Sequence, residues 1–314
     1  MQCRRFPFFA TLLTAGVLAC GCFNTVPSPI TLKEAHQKFK NILKEETGLE
    51  VQLFPLDDTL WIYIPTEKEL FKLAANKEGA RSSDQAVHAQ EILFLDGTFE
   101  DGRFKLSYDI AGRKKYAKDP GYASQYTDDF QRTQRSVLSA LPRAYSAVEQ
   151  VPGQREFLDG ERQSRRERFV KAHLKTDKAP TFTVIVIADI VNGIESKLIA
   201  HMKDIRRGNT DGSFLEEYNK RLVYSDPRGG MDIIGDRTGE HLEVKEITLP
   251  EFLFEQILYR IKFKYQRSAF PPGEDTEDEI MKLVNETVQA YSFDDYTAVK
   301  LTNLHENKSY LYDK

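Results

Sequence analysis

The chain has 314 residues, with 44 lysines and arginines against 48 aspartates and glutamates, for a net charge of −4. This mildly acidic balance, mixed along the chain, makes no case for nucleic acid, which requires a clustered basic surface. An apolar fraction of 40% with 11% aromatics is enough for a packed core, and the length allows one large domain or two lobes.

The first element reads as an export segment. Arg4 and Arg5 precede an uncharged apolar run from Phe6 to Ala19, and the small residues Ala15, Gly16, Ala19 and Gly21 crowd its end. The run is short for a permanent membrane helix, which needs about 20 residues. All three cysteines lie here, at Cys3, Cys20 and Cys22. The sequence Val17-Leu18-Ala19-Cys20 resembles the lipobox of bacterial lipoproteins. That resemblance implies cleavage before Cys20, a diacylglycerol on its thiol and an acylated amine, and several acyl chains are what stable anchoring needs. Ala19-Cys20-Gly21-Cys22 is a second frame, with attachment at Cys22; the bulkier Val17 and Leu18 favour Cys20. No aspartate directly follows either cysteine, which by the same resemblance implies the outer membrane of a two-membrane bacterium. A plain secretory signal would end in Ala-x-Ala without cysteine, and Pro7 argues against a twin-arginine signal.

The expected division is a signal peptide at 1–19, a tether at 20–30 containing Pro27 and Pro29, a main domain at 31–226, and a C-terminal part at 227–314 that is either separate or continuous with it. Cleavage removes Arg4 and Arg5 and no acid, so the mature chain is more acidic. Beyond residue 22 there is no cysteine, so stability must come from burial.

Thr31 and Glu34 form a capping box for a helix with Ala35, Phe39, Ile42 and Leu43 at helical spacing, closed by Gly48. Strands follow at 50–54 and 59–64 around an Asp57-Asp58 turn; Leu60, Ile62 and Ile64 alternate with Trp61 and Tyr63, so both faces are apolar. Residues 74–90 read as a loop. A hairpin spans 91–110 with Asp101-Gly102 as its turn. Asp128 and Gln131 cap a helix to about 148 that contains Pro142. Residues 153–178 mix basic and acidic groups, as a solvated connection does.

The run Thr181–Ile190 is β-branched and apolar on both faces, which predicts a central strand. Asn192-Gly193 turns it into a partner at 194–203. Ser213 and Glu216 box a further helix. A glycine-rich stretch from Gly229 to Gly239 leads to a strand at 241–247. Thr248 and Glu251 start a long helix to about 265, broken by Pro271-Pro272-Gly273. Thr276 and Glu279 start another to about 291, and a strand at 296–301 closes the chain. The fold class is α+β: a mixed, largely antiparallel sheet made from hairpins and packed against several capped helices.

Chemistry is sparse. His36, His88, His173, His201, His241 and His305 form no HExxH pair, and no cysteine is placed to complete a metal site, so no metal and no cofactor are expected. His241 and Glu243 would share a strand face, as a metal-binding pair or, more simply, an ion pair. Asp189 ends the most buried strand, with His201 and Asp204 across the following turn. These three are the only cluster that suggests catalysis; the simpler role of Asp189 is to cap the Asn192-Gly193 hairpin. Gly229-Gly230 and Gly235 to Gly239 lack the spacing of a phosphate loop. Trp61 is either a binding platform or sheet packing beneath a helix. The basic stretch 155–178 is either a solvated face or a contact for anionic lipid.

The expected protein is a lipid-anchored component of the cell envelope that binds or scaffolds a partner without catalysis. Its partners would be the membrane, through the lipid, and an envelope protein or peptidoglycan. Alternatives are an envelope hydrolase using Asp189, and a solute-binding lipoprotein with two similar lobes.

Overall fold

The computed structural model describes residues 30–72, 86–116, 125–145, 179–211, 215–225, 228–229, 237–267 and 275–314. Cys20, Cys22, the tether and the basic stretch 153–178 lie outside the described residues.

Helix α1 (Leu32–Thr47) begins as the sequence dictates. The Thr31 backbone N–H donates to Glu34 Oε2 at 2.6 Å, and the Glu34 N–H donates to Thr31 Oγ1 at 3.2 Å. Strands β1 (Gln52–Leu56) and β2 (Thr59–Thr66) pair across the Asp57-Asp58 turn, and β3 is Phe71–Lys72. The hairpin β4 (Ala86–Glu100) and β5 (Arg103–Tyr116) is longer than predicted; Asp101 and Gly102 both take positive φ, as its two-residue turn demands. After β6 (Gln125–Tyr126), helix α2 (Asp128–Tyr145) contains Pro142. Its capping side chain is Thr127, whose Oγ1 accepts from the Phe130 N–H at 3.3 Å, rather than Asp128.

Strands β7 (Phe182–Asp189) and β8 (Ile194–His201) form the predicted hairpin. The chain then turns at once into helix α3 (Met202–Thr210), where the sequence suggested more strand. Helix α4 (Leu215–Arg221), β9 (Val223–Tyr224) and β10 (Arg228–Gly229) follow, then helices α5 (Leu249–Arg267) and α6 (Thr276–Ala290) and strands β11 (Ala298–Asn303) and β12 (Lys308–Asp313). The cap of α6 is Asp275, which accepts from the Glu277 N–H, so the Thr276 box is displaced by one residue.

The first sheet has the order β1-β2-β7-β8-β10, with β9 also on β8; only the β2–β7 contact is parallel. The second has the order β12-β11-β5-β4, parallel only between β11 and β5. The α+β class with mixed, mainly antiparallel sheets is therefore correct. The segment after residue 226 adds β11 and β12 to the sheet begun by β4 and β5.

All eight residues of β7 are buried, because both faces of the first sheet are covered. Leu60, Ile62, Ile64, Ile185 and Ile187 face α1 to α4. Trp61, Tyr63, Val184 and Val186 face a second core shared with α5, α6 and the inner side chains of the second sheet. Helix α5 lies between the sheets, which explains why it is apolar around most of its circumference.

The predicted strand at 241–247 does not form. Both edges of β2 and of β7 are already paired, so the segment cannot join the sheet beside either of them. It crosses the sheet face instead, and side chains satisfy its backbone: the Trp61 indole donates to the Lys245 carbonyl at 2.8 Å, and the Ile247 N–H donates to Thr59 Oγ1 at 2.9 Å. Trp61 is thus buried beneath this segment.

The second core closes tightly where α5 meets β4. A Cβ at Gly97 would lie 2.0 Å from the Lys105 carbonyl oxygen and 2.8 Å from Phe254 Cζ. Gly97→Ala should therefore lower stability by about 1–3 kcal/mol, as overpacking does. Urea unfolding checks this, and an unchanged midpoint would show that the contact yields.

Candidate functional site

Asp189 is fully buried at the end of β7. Its Oδ1 accepts from the backbone N–H groups of Val191 (3.0 Å) and Asn192 (2.9 Å). Its Oδ2 accepts from the N–H groups of Leu70 (2.7 Å) and Phe71 (3.3 Å) and from Asn192 Nδ2 (2.8 Å). Both oxygens are committed to holding the hairpin turn and the chain at β3.

The predicted cluster of Asp189, His201 and Asp204 is not one site. Asp189 pairs with Ile194 and His201 with Phe182, at opposite ends of the β7–β8 ladder. Seven residues at roughly 3.3 Å each put Asp189 and His201 about 23 Å apart.

His201 and Asp204 do meet, in a buried polar network. Asp204 Oδ2 accepts from the Tyr291 hydroxyl at 2.5 Å and lies 3.9 Å from His201 Nδ1; its Oδ1 lies 3.3 Å from Arg221 Nη1. The Arg221 guanidinium also bonds Glu217 and stands over the Tyr291 ring at 4.9 Å. Gln256 on α5 donates to the Arg221 carbonyl at 2.8 Å. His201 packs edge-on against Phe182 and Tyr291, so the imidazole is held among rings. The network ties β8, α3, α4 and α5 to the end of α6.

His241 also has a different partner from the predicted one. Its Nε2 lies 3.0 Å from Glu195 Oε2 on β8, not on Glu243. Among the described residues no three His, Cys, Asp or Glu side chains are placed to share a metal ion.

A cleft of about 870 Å3 opens beside the Asp204 network. Helix α2 lines it with Phe130, Gln131, Gln134, Arg135 and Leu138, and Tyr126 extends that wall. Helix α5 supplies Tyr259, Lys262 and Phe263. Between them lie Gly208 and Asn209 of α3, Tyr218 and Asn219 of α4, and Leu222 and Tyr224. Tyr126 stacks on Phe130 at 4.4 Å, and Tyr259 meets Phe263 at 6.2 Å and Tyr224 at 5.9 Å. The outer rings of these groups, Tyr126 and Phe263, are 38% and 44% exposed. The sequence reading missed this site. Its one local signal is that Tyr259 and Phe263 are four residues apart, the spacing that puts two rings on one helix face; Tyr126 and Phe130 share that spacing, but Tyr126 precedes α2 in β6.

Gly208 lets the floor form. A Cβ there would lie 2.6 Å from the Tyr218 ring, so any side chain would push that ring out of place.

Comparison of the chain with known protein families, curated protein sequences and solved structures finds no match.

Two outcomes follow. Replacing Asp189 by alanine strands five donors, each bonded to a charged acceptor, and should cost about 3 kcal/mol or more in chemical denaturation; a loss under about 1 kcal/mol would make the cap dispensable. The second concerns pH. Burial holds the His201 imidazole below its usual range, Asp204 opposes this, and Lys203 and Arg221 reinforce it. Above about pH 6.5 the group is neutral whether folded or unfolded, and stability is at its full value. Below that the unfolded chain binds the extra proton, and stability falls by up to about 1.4 kcal/mol per pH unit. Half-buried His36 shifts the same way. His201→Gln should flatten the loss between about pH 7.5 and 5 without abolishing it; an unchanged slope would remove His201 from the cause.

Proposed function

We propose that this is a lipid-anchored protein of the bacterial envelope that binds a ligand in the cleft between α2, α4 and α5, without catalysis. The observation that carries the reading is the composition of the cleft. Ring systems, amides, two cations and the hydroxyls of Ser139 and Ser225 line it, and among the described residues none of its lining side chains is a carboxylate, histidine or thiol. Rings, amides and cations stack, hydrogen-bond and attract, and both serine hydroxyls already donate to backbone carbonyls, Ser139 to Ser136 and Ser225 to Lys197. The size falls within the range of about 300–1,000 Å3 common to ligand clefts.

The anchor rests on the lipobox at Cys20, with Cys22 as the second frame. No helix among the described residues is long and apolar enough to cross a membrane, so acyl chains are the proposed means of attachment. The missing aspartate after either cysteine supports the outer membrane where the source has two membranes. Two other readings are weaker. A hydrolase centred on Asp189 has both carboxylate oxygens already engaged. A two-lobed solute-binding protein would need lobes with separate cores, whereas both sheets share one core with α5 and α6.

Cells making the full chain and fed a labelled fatty acid should acylate it, and Cys20→Ser should remove the label. Label lost only in Cys22→Ser would move the attachment, and label never incorporated would end the anchor reading. Separately, a photo-crosslinking residue at position 263 should capture a cell component in living cells, while one at position 311 should not. Equal capture at both positions, or none at 263, would contradict the cleft reading.

A further inference from the structure

We infer that the cleft takes a carboxylate-bearing saccharide of the envelope: a short run of N-acylated sugar rings with acidic substituents, the chemistry that peptidoglycan presents. This rests on the binding reading above and names its ligand.

Charge is the first argument. The chain carries more acids than bases, yet among the described residues the cleft lining holds Arg135 and Lys262 and no acid. Neighbouring cations are neutralised internally: Arg221 by Asp204 and Glu217, Arg260 by Glu286, Lys264 by Glu279. Arg135 and Lys262 form no ion pair among the described residues. They belong to different helices lining the cleft, α2 and α5, so each brings a cation to it from a separate element. A guanidinium and an ammonium in a partly apolar cleft bind a carboxylate more strongly than they would in open water.

The rings are the second argument. Tyr126 and Phe263 are both partly exposed, and each is backed by a second ring, Phe130 and Tyr259. A backed ring loses little freedom when a flat apolar surface settles on it. The C–H face of a sugar is such a surface. Gln131 and Asn219 are exposed beside these rings, and a primary amide both donates and accepts, as hydroxyl and N-acyl groups require.

Other occupants fit less well. An extended peptide adds to a sheet edge, but the described walls are mainly helical, and the strands that reach them, β6 at Tyr126 and β9 at Tyr224, are two residues long. An amphipathic helix needs an aliphatic groove, and among the described residues Leu138 and Leu222 are the only aliphatic side chains lining this one. A nucleic-acid strand needs a track of many cations, and the described lining has two.

Calorimetric titration of the detergent-solubilised full chain tests this with three probes: a soluble cell-wall disaccharide–peptide with free carboxylates, the same fragment with its carboxylates amidated, and an acidic peptide without sugar. The first should bind, and Arg135→Gln, Lys262→Gln and Phe263→Ala should each weaken it about tenfold, with circular dichroism unchanged. Amidation should weaken it at least as much, and the peptide alone should not bind. Equal affinity for the amidated fragment overturns the role of charge, and binding of the bare peptide overturns the saccharide. If no probe binds while position 263 still captures a cell component, the inference falls and the cleft reading survives. If neither occurs, both fall.

Discussion

One buried carboxylate, Asp204, holds together the elements that surround the cleft. It accepts from Tyr291 beyond α6, faces Arg221 at the end of α4 and lies beside His201 at the end of β8. Arg221 in turn offers its carbonyl to Gln256 on α5. A buried charge without partners costs several kcal/mol, so these groups must stay assembled or the region must open. Helices α3, α4 and α5 are therefore fixed relative to one another by a single polar centre, and these three line the cleft together with α2, which lies outside that network. A cluster that resembles catalytic chemistry in sequence serves here to position a binding surface.

Asp189 plays a similar part at the far end of the β7–β8 hairpin. Its oxygens take donors from the turn that follows it and from the backbone entering β3. The two acids thus secure opposite ends of the most buried strand pair, one by local backbone capping and the other by long-range side-chain contacts. Between them the strand contributes only packing, with alternate residues entering the two cores.

Much of this was legible in the sequence where the cause is local. The Thr31–Glu34 box, the Asp101-Gly102 turn and the two-faced apolar run of β7 each depend on neighbours within a few residues. The errors arise where tertiary context decides. The residues 241–247 have strand character, but β2 and β7, whose face they cross, are already paired on both edges. The alternation of β8 runs on into Lys203 and Asp204, yet Met202 and Ile205 are buried from a helix. Strand β12 was missed because its exposed positions mix polar residues with Leu311 and its partner β11 alone gives it order. The cleft was invisible because its rings are drawn from β6, α2, α4, β9 and α5, and only the fold brings residue 126 near residue 263.

Hydrogen exchange mapped along the full chain, with and without Asp204→Asn, tests the central claim most directly. If Asp204 holds the cleft wall, the substitution lowers protection in α3, α4 and the Gln256–Phe263 stretch of α5 together, while β7 and the second sheet keep theirs. Loss confined to α3 alone, or no loss in any of the three helices, would contradict it.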